Sequence, residues 1–270
     1  MILTVRHATT YRYDQPVRGV VQSHRLTPSL FDGQRVIDWR IAVSDGLAGG
    51  AFRDGAGDWV ASHSALGPLS EITVTVDGTI ETFDLTGLLR GHRERVPPEA
   101  YLRDTPATRA DVALTDLGRD ALAGVDDPLD CAHRLSAAVA KAIAYRPGAT
   151  HAHTTAAEAL GLGEGVCQDH AHALCAVARA QGMPARYVSG YLHATEDGSA
   201  HEAAHAWAEI WVKGLGWVGF DPANACCPDE RYIRLGSGHD TRDAAPIRGI
   251  ARGQGNESLE VTVAVEAAQQ

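Results

Sequence analysis

What this chain lacks narrows its function first. No apolar run is long enough to span a bilayer. Met1 is followed only by Ile-Leu-Thr-Val-Arg-His, too short an apolar stretch for a secretory signal. The expected compartment is therefore the cytoplasm, with no membrane partner. Basic charge is in deficit: 24 Lys and Arg stand against 34 Asp and Glu, for a formal net charge of −10. Nucleic acid is thus not an expected partner, because affinity for phosphates needs clustered Lys and Arg. Cys-x-x-Cys does not occur, and no internal repeat or low-complexity tract is present. No cofactor or metal is expected. Even the cysteines do not make a framework. There are five (Cys131, Cys167, Cys175, Cys226 and Cys227), an odd number without an export signal, which points to reduced thiols.

What is present is an ordinary soluble composition, 44% hydrophobic and 21% charged over 270 residues, with room for two domains. Residues 1–90 read as β. Leu3 to His7 and Ile37 to Val43 alternate, and Ile72–Val76 and Thr79–Phe83 flank Asp77-Gly78, a two-residue hairpin signal. An antiparallel β-sandwich is expected there. Residues 91–106, centred on Pro97-Pro98, read as a linker, and residues 107–270 as a second, α+β domain. Asp127-Pro128 opens one helix, and Thr155-Ala-Ala-Glu158 is a capping box for a short one ending near Gly161. Cys167–Gln181 is the clearest helix, with Ala171, Leu174, Cys175 and Ala178 on one face and Gly182 and Pro184 as its stop. Strands follow at Arg186–Leu192, Ala204–Trp211, Leu215–Phe220 and Leu259–Val265, with a polar loop around Thr195–Ser199.

The chemistry gathers at Cys167. Gly163 and Gly165 let the backbone turn sharply into the helix, leaving the sulfur accessible. A helix N-terminus carries about half a positive charge, which favours thiolate, the reactive form of cysteine. His205 lies on a strand, and Asp221 ends the next one. A three-residue turn, Val212-Lys213-Gly214, pairs Trp211 with Leu215 and therefore His205 with Asp221, on one face. A two-residue turn would put them on opposite faces. Nucleophile, base and orienting carboxylate are the parts of thiol catalysis. Cys175, by its helical phase, belongs to the core and is expected to be inert.

Tyr145-Arg-Pro-Gly148, Gly165-Val-Cys-Gln-Asp169, Gly182-Met-Pro-Ala-Arg-Tyr-Val-Ser-Gly-Tyr191, His205-Ala-Trp-Ala-Glu209 and Gly216-Trp-Val-Gly-Phe-Asp-Pro222 together resemble the bacterial transglutaminase-like cysteine peptidase family. Their order and spacing agree with it, and residues 1–90 resemble the β-sandwich that accompanies the family. The resemblance implies a papain-like core with Cys167 as nucleophile, His205 as general base and acid, and Asp221 as orienting carboxylate. His170 departs from the pattern, which generally has Phe there, and is expected to be a packing or surface substitution unless it perturbs the thiol. The implied activity is hydrolysis of an amide in a peptide or protein through a Cys167 thioester. Acyl transfer to an amine, or peptide binding without catalysis, are the alternatives. His151-x-His153 and His170-x-His172 are the candidate metal pairs, the second weakened because residues i and i+2 of a helix do not converge. Oligomeric state is left open.

Overall fold

Two very long strands organise the N-terminal half. In the computed structural model, which describes residues 1–193 and 203–267, β1 (Ile2–His24) and β4 (Trp59–Thr82) run antiparallel from Ile2↔Glu81 to His24↔Ala61. The register shifts between Arg12 and Gly19. β2 (Gln34–Val43) and β3 (Gly46–Arg53) flank different stretches of β4. Leu3 and Val5 on β1, and Ile72, Val74, Val76 and Ile80 on β4, are buried as their alternation requires.

The expected hairpin at Asp77-Gly78 is absent. β4 runs straight through, and Asp77 lies opposite both Arg6 and Arg40. Gly78 serves a different need: a Cβ there would sit 2.2 Å from the Trp39 ring, so only glycine lets the indole lie on the strand. Alternation continues unbroken across the dipeptide, which is why local turn chemistry misleads at this point.

Residues 91–106 form a fastened strap. Glu94 receives hydrogen bonds from Arg186 and from Trp217 Nε1. Arg95 and Val96 donate from their backbones to Gly55. A short 3₁₀ turn, Pro98–Leu102, buries Tyr101. The proline and charge content that suggested a linker serves a packed crossing instead.

Beyond the strap come α1 (Val112–Ala121), α2 (Pro128–Ala142), β5 (Ala144–Tyr145), α3 (Ala156–Leu162), β6 (Glu164–Gly165) and α4 (Cys167–Ala180). Asp127 caps α2 by accepting from the amides of Leu129 and Asp130, and Thr155 and Glu158 form the expected capping box on α3. α3 runs past Gly161 to its left-handed cap at Gly163. α4 is buried on nearly every side from Asp169 to Arg179, which its many alanines permit. It packs on β7 (Ala185–Leu192) and β8 (Ala204–Val212) of an antiparallel sheet ordered β10-β7-β8-β9, where β9 is Gly216–Phe220 and β10 is Tyr232–Gly238. The loop around Thr195–Ser199 lies outside the described residues.

The last two strands depart from the expected domain division. β11 (Ile247–Ala251) and β12 (Glu257–Ala267) leave the second unit and pair with β1, from His24↔Ile247 to Leu3↔Ala267. Strand pairing across such a separation leaves no trace in local sequence. Leu3, Val5, Leu26, Val74 and Ile80 pack against Tyr191, Ile233 and Leu235, so the sandwich and the second sheet share a core. The whole is α+β, an N-terminal antiparallel β-sandwich followed by a helix-on-sheet unit. Among the described residues no helix is long and apolar enough to cross a membrane.

Candidate active site

Cys167 is the first residue of α4 and is half-buried. The turn that delivers it depends on Asp169, whose Oδ2 accepts from the Val166 amide at 2.8 Å and from Thr150 Oγ1 at 2.6 Å. A Cβ on Gly165 would come within 2.8 Å of that carboxylate, so glycine is required there by close approach. Glycine 163 meets the other requirement, a φ of 69°.

His205 lies on β8, with Nε2 2.6 Å from Asp221 Oδ2. The hairpin that carries them has the expected three-residue turn, moved along by one residue. Trp211 pairs with Trp217 and Val212 with Gly216, leaving Lys213, Gly214 and Leu215 in the turn. Gly214 and Gly216 both take positive φ, at 91° and 95°. Asp221 is therefore diagonal to His205 instead of directly opposite. A slide of one residue on both strands preserves the face, so the two side chains still meet.

Asp221 is fully buried and saturated with donors. Oδ2 accepts from His205, from Tyr232 Oη at 2.8 Å and from Asn224 Nδ2 at 2.6 Å. Oδ1 accepts from the amides of Ala223 and Asn224 at 3.0 and 3.3 Å. Burial pushes this carboxyl up, but the donors outweigh it and hold it below the usual carboxylate range. On His205, burial disfavours the charge. Hydrogen bonds with Asp221 and Cys167, and the negative charge of both, prevail and raise the imidazole to about 10. With Nε2 committed to Asp221, Nδ1 is left to serve the sulfur. The three residues singled out in the sequence thus come together: His205 is bonded directly to Asp221, and Cys167 is near enough to the same imidazole to help raise it.

Tyr232 and Asn224 escaped sequence reading. Asn224 had a faint signal, since Asp-Pro-Ala-Asn is a turn-forming run. Tyr232, eleven residues beyond Asp221, had none. Its ring also packs edge-on to His205 and Trp207, with centroids at 5.9 and 5.5 Å.

The other candidates fall away from Cys167, His205 and Asp221. Cys175 is buried, and burial pushes its thiol up to about 11, as befits a core residue. Cys226 and Cys227 are free, and burial raises both thiols, Cys227 to about 11. His170 is buried, with Nδ1 3.0 Å from the Val166 carbonyl and Nε2 2.9 Å from the Ile143 carbonyl, so it ties the start of α4 to the end of α2. His172 accepts from the Thr241 amide at 3.0 Å, and burial lowers it to about 4. Its ring serves a different neighbour from that of His170. The His151 and His153 rings are 6.3 Å apart, and among the described residues no group of three or more His, Cys, Asp and Glu is placed to hold a metal ion.

Comparison with known proteins agrees with this architecture. Residues 115–222 match the transglutaminase-like superfamily and residues 3–81 the bacterial transglutaminase-like N-terminal region. An uncharacterised protein of Mycobacterium leprae is 30% identical, over 97% of this chain and 98% of its own length. A protein-glutamine gamma-glutamyltransferase of Pseudomonas aeruginosa is 36% identical over 75 residues, which is 24% of this chain and 11% of that protein. The crystal structure of a proposed cysteine protease from Cytophaga hutchinsonii superposes with a TM-score of 0.75 at 19% identity, covering 100% of this chain and 92% of the other. From the sandwich to the helix that presents Cys167, this chain belongs to the bacterial transglutaminase-like family of the transglutaminase-like superfamily.

Proposed function

We propose that the protein hydrolyses an amide bond in a peptide or protein through a thioester on Cys167. The observation that carries this reading is the 2.6 Å bond between His205 and a fully buried Asp221, with Cys167 in reach of the same imidazole at the positive end of α4. The sulfur, as thiolate, attacks the carbonyl carbon. The backbone N–H of Cys167, in the first helical turn, has no carbonyl of its own helix to meet and is available to the developing oxyanion. The His205 imidazolium passes its proton to the leaving nitrogen, and the C–N bond breaks. Water, losing a proton to His205, then attacks the thioester. The acid leaves and the thiol is restored. Asp221 keeps the imidazole oriented throughout and stabilises its charged form before acylation and again once water has given up its proton.

Transfer to an amine is the second reading, favoured by the similarity to the Pseudomonas aeruginosa gamma-glutamyltransferase. One acyl-enzyme serves both outcomes, so the product decides. A peptide acyl donor that acylates Cys167, supplied with millimolar amine, is expected to give mainly free acid by mass spectrometry. A dominant amine adduct would establish transfer. Peptide binding without catalysis predicts neither product, and no preferential alkylation of Cys167 by iodoacetamide near pH 6.

A further inference from the structure

The outer face of the sandwich, away from the candidate active site, carries an uncovered apolar field. Its geometry follows from strand register. β11, β1, β4 and β3 lie side by side here, and directly opposed residues share a face. On the inner face, Val20, Gln22, His24 and Ala65 are buried. On the outer face one row reads Ile250, Val21, Ser64, Leu47. The neighbouring row reads Arg252, Gly19, Leu66, with Arg252 held to Gly19 by a backbone hydrogen bond of 2.9 Å. Asp45, exposed in the left-handed turn just before β3, adjoins the far end of that row, next to the last paired residue Gly46. Leu66 is 77% exposed, Ile250 74%, Leu47 61% and Val21 56%. Four large apolar side chains on one four-stranded face amount to a patch, whereas scattered exposed residues would need no explanation.

We propose that this face is the interface of a twofold-symmetric dimer, with a second copy of the chain as its occupant. A twofold axis in the contact plane, parallel to the strands and between β1 and β4, keeps each row at its own height and reverses its order. Leu66 of one protomer then lies over the bare backbone of Gly19 in its partner. Ile250 lies over Leu47, and Val21 over Ser64. Arg252 comes over the partner's Asp45 at both edges. Bulk meets a gap, apolar meets apolar, and the charged end of the row meets its opposite. Such self-complementarity is what a closed, isologous contact requires. It also keeps like charges apart, which matters for a chain of formal charge −10. The axis leaves the strands of the two copies aligned, the common arrangement of stacked sheets. Four strands at about 4.8 Å and six residues at about 3.3 Å give a face of about 19 by 20 Å, smaller than a stable specific interface, so the dimer is weak and reversible.

Sedimentation velocity of the full chain tests this between about 1 and 100 μM, a span that covers association in the tens of micromolar. Wild type is expected to move from 28.7 kDa towards twice that mass. Leu66→Asp is expected to remain monomeric with an unchanged circular dichroism spectrum. A charge-swap arm covers the case in which that variant fails to fold. Arg252→Asp weakens association at least tenfold, and Arg252→Asp combined with Asp45→Arg restores it. A wild type that stays at monomer mass throughout overturns the proposal. So does a dimer untouched by Leu66→Asp, or a double variant no better than the single one. None of these readouts depends on the activity of Cys167.

Discussion

Two clusters of buried charge stand on the same strand, and they are built for opposite ends. His205 and Glu209 lie four residues apart on β8, on one face. Glu209 is enclosed by cations: Arg186 Nε reaches it at 2.6 Å and Arg234 Nε at 2.8 Å, and Arg234 continues to Asp58 at 2.6 Å and Ser29 at 2.6 Å. Burial opposes its charge, but the two guanidiniums hold its carboxyl down to about 2. The Arg186 guanidinium also stacks on the Trp217 ring at 4.0 Å. Each charge there faces an opposite one, although Arg186 Nη2 is buried without a hydrogen-bond partner. In the His205 cluster only the anion is saturated. Asp221 collects its donors, and the imidazole is left with one nitrogen for a half-buried sulfur. One cluster joins the sandwich to the second sheet through Asp58 and Arg234; the other keeps a single valence open.

Breaking each cluster should therefore produce different failures. Cys167→Ala is expected to lower amide turnover by at least about 10³-fold, as loss of a covalent nucleophile does, with the melting temperature almost unmoved. Turnover within tenfold of wild type would reject the thioester. Arg234→Met is expected to cost about 3–5 kcal/mol in urea unfolding, because Glu209 and Asp58 are left buried and underpaired. Its activity per folded molecule should survive. A variant with wild-type stability would show the ionic cluster to be dispensable.

The pH response separates the clusters further. The folded His205 is raised from 6.5 to about 10, so its stabilisation is fully present below 6.5 and lost as pH rises through about 10. Asp221 is lowered, so its contribution is present above the ordinary carboxylate value of 3.8 and lost as pH falls through its folded value. Turnover should accordingly hold a plateau from neutral pH upward, with an alkaline limb near 10 set by the imidazolium. A limb near 7 in the kcat/KM profile would show that Asp221 does not hold His205 charged. Tyr232→Phe, which removes one of five donors to Asp221, is expected to cost about 1 kcal/mol and to reduce turnover less than tenfold. Cys175→Ala is the smallest change, lowering stability by about 1 kcal/mol through a buried cavity while turnover stays at wild-type level.

What could be read in the sequence divides along a physical line. Caps, glycine turns and the face of a hairpin are set by neighbours within a few residues, so α4, the α3 capping box and the shared face of His205 and Asp221 were legible. The turn after Val212 slid by one residue because a second glycine, Gly216, also accepts positive φ, a choice that sequence leaves open. Gly78 misled for the converse reason: its glycine answers to Trp39, a partner on another strand. Tyr232, Asn224 and the Arg186–Glu209–Arg234 cluster depend on which strands come to lie side by side, as does the return of β12 to β1.

That return has a consequence for how the chain comes to be folded. Leu3 pairs with Ala267 and Tyr13 with Glu257, so one edge of β1 finds its partner only when nearly the whole described chain is available. During synthesis β1 must wait with a strand edge open. Contacts of such long sequence separation carry a loop-closure cost before they return any stabilisation, which slows folding. The sandwich is thus written first and finished last, and its open edge is the point at which a chaperone, or a neighbouring nascent copy, can meet the protein before it has closed.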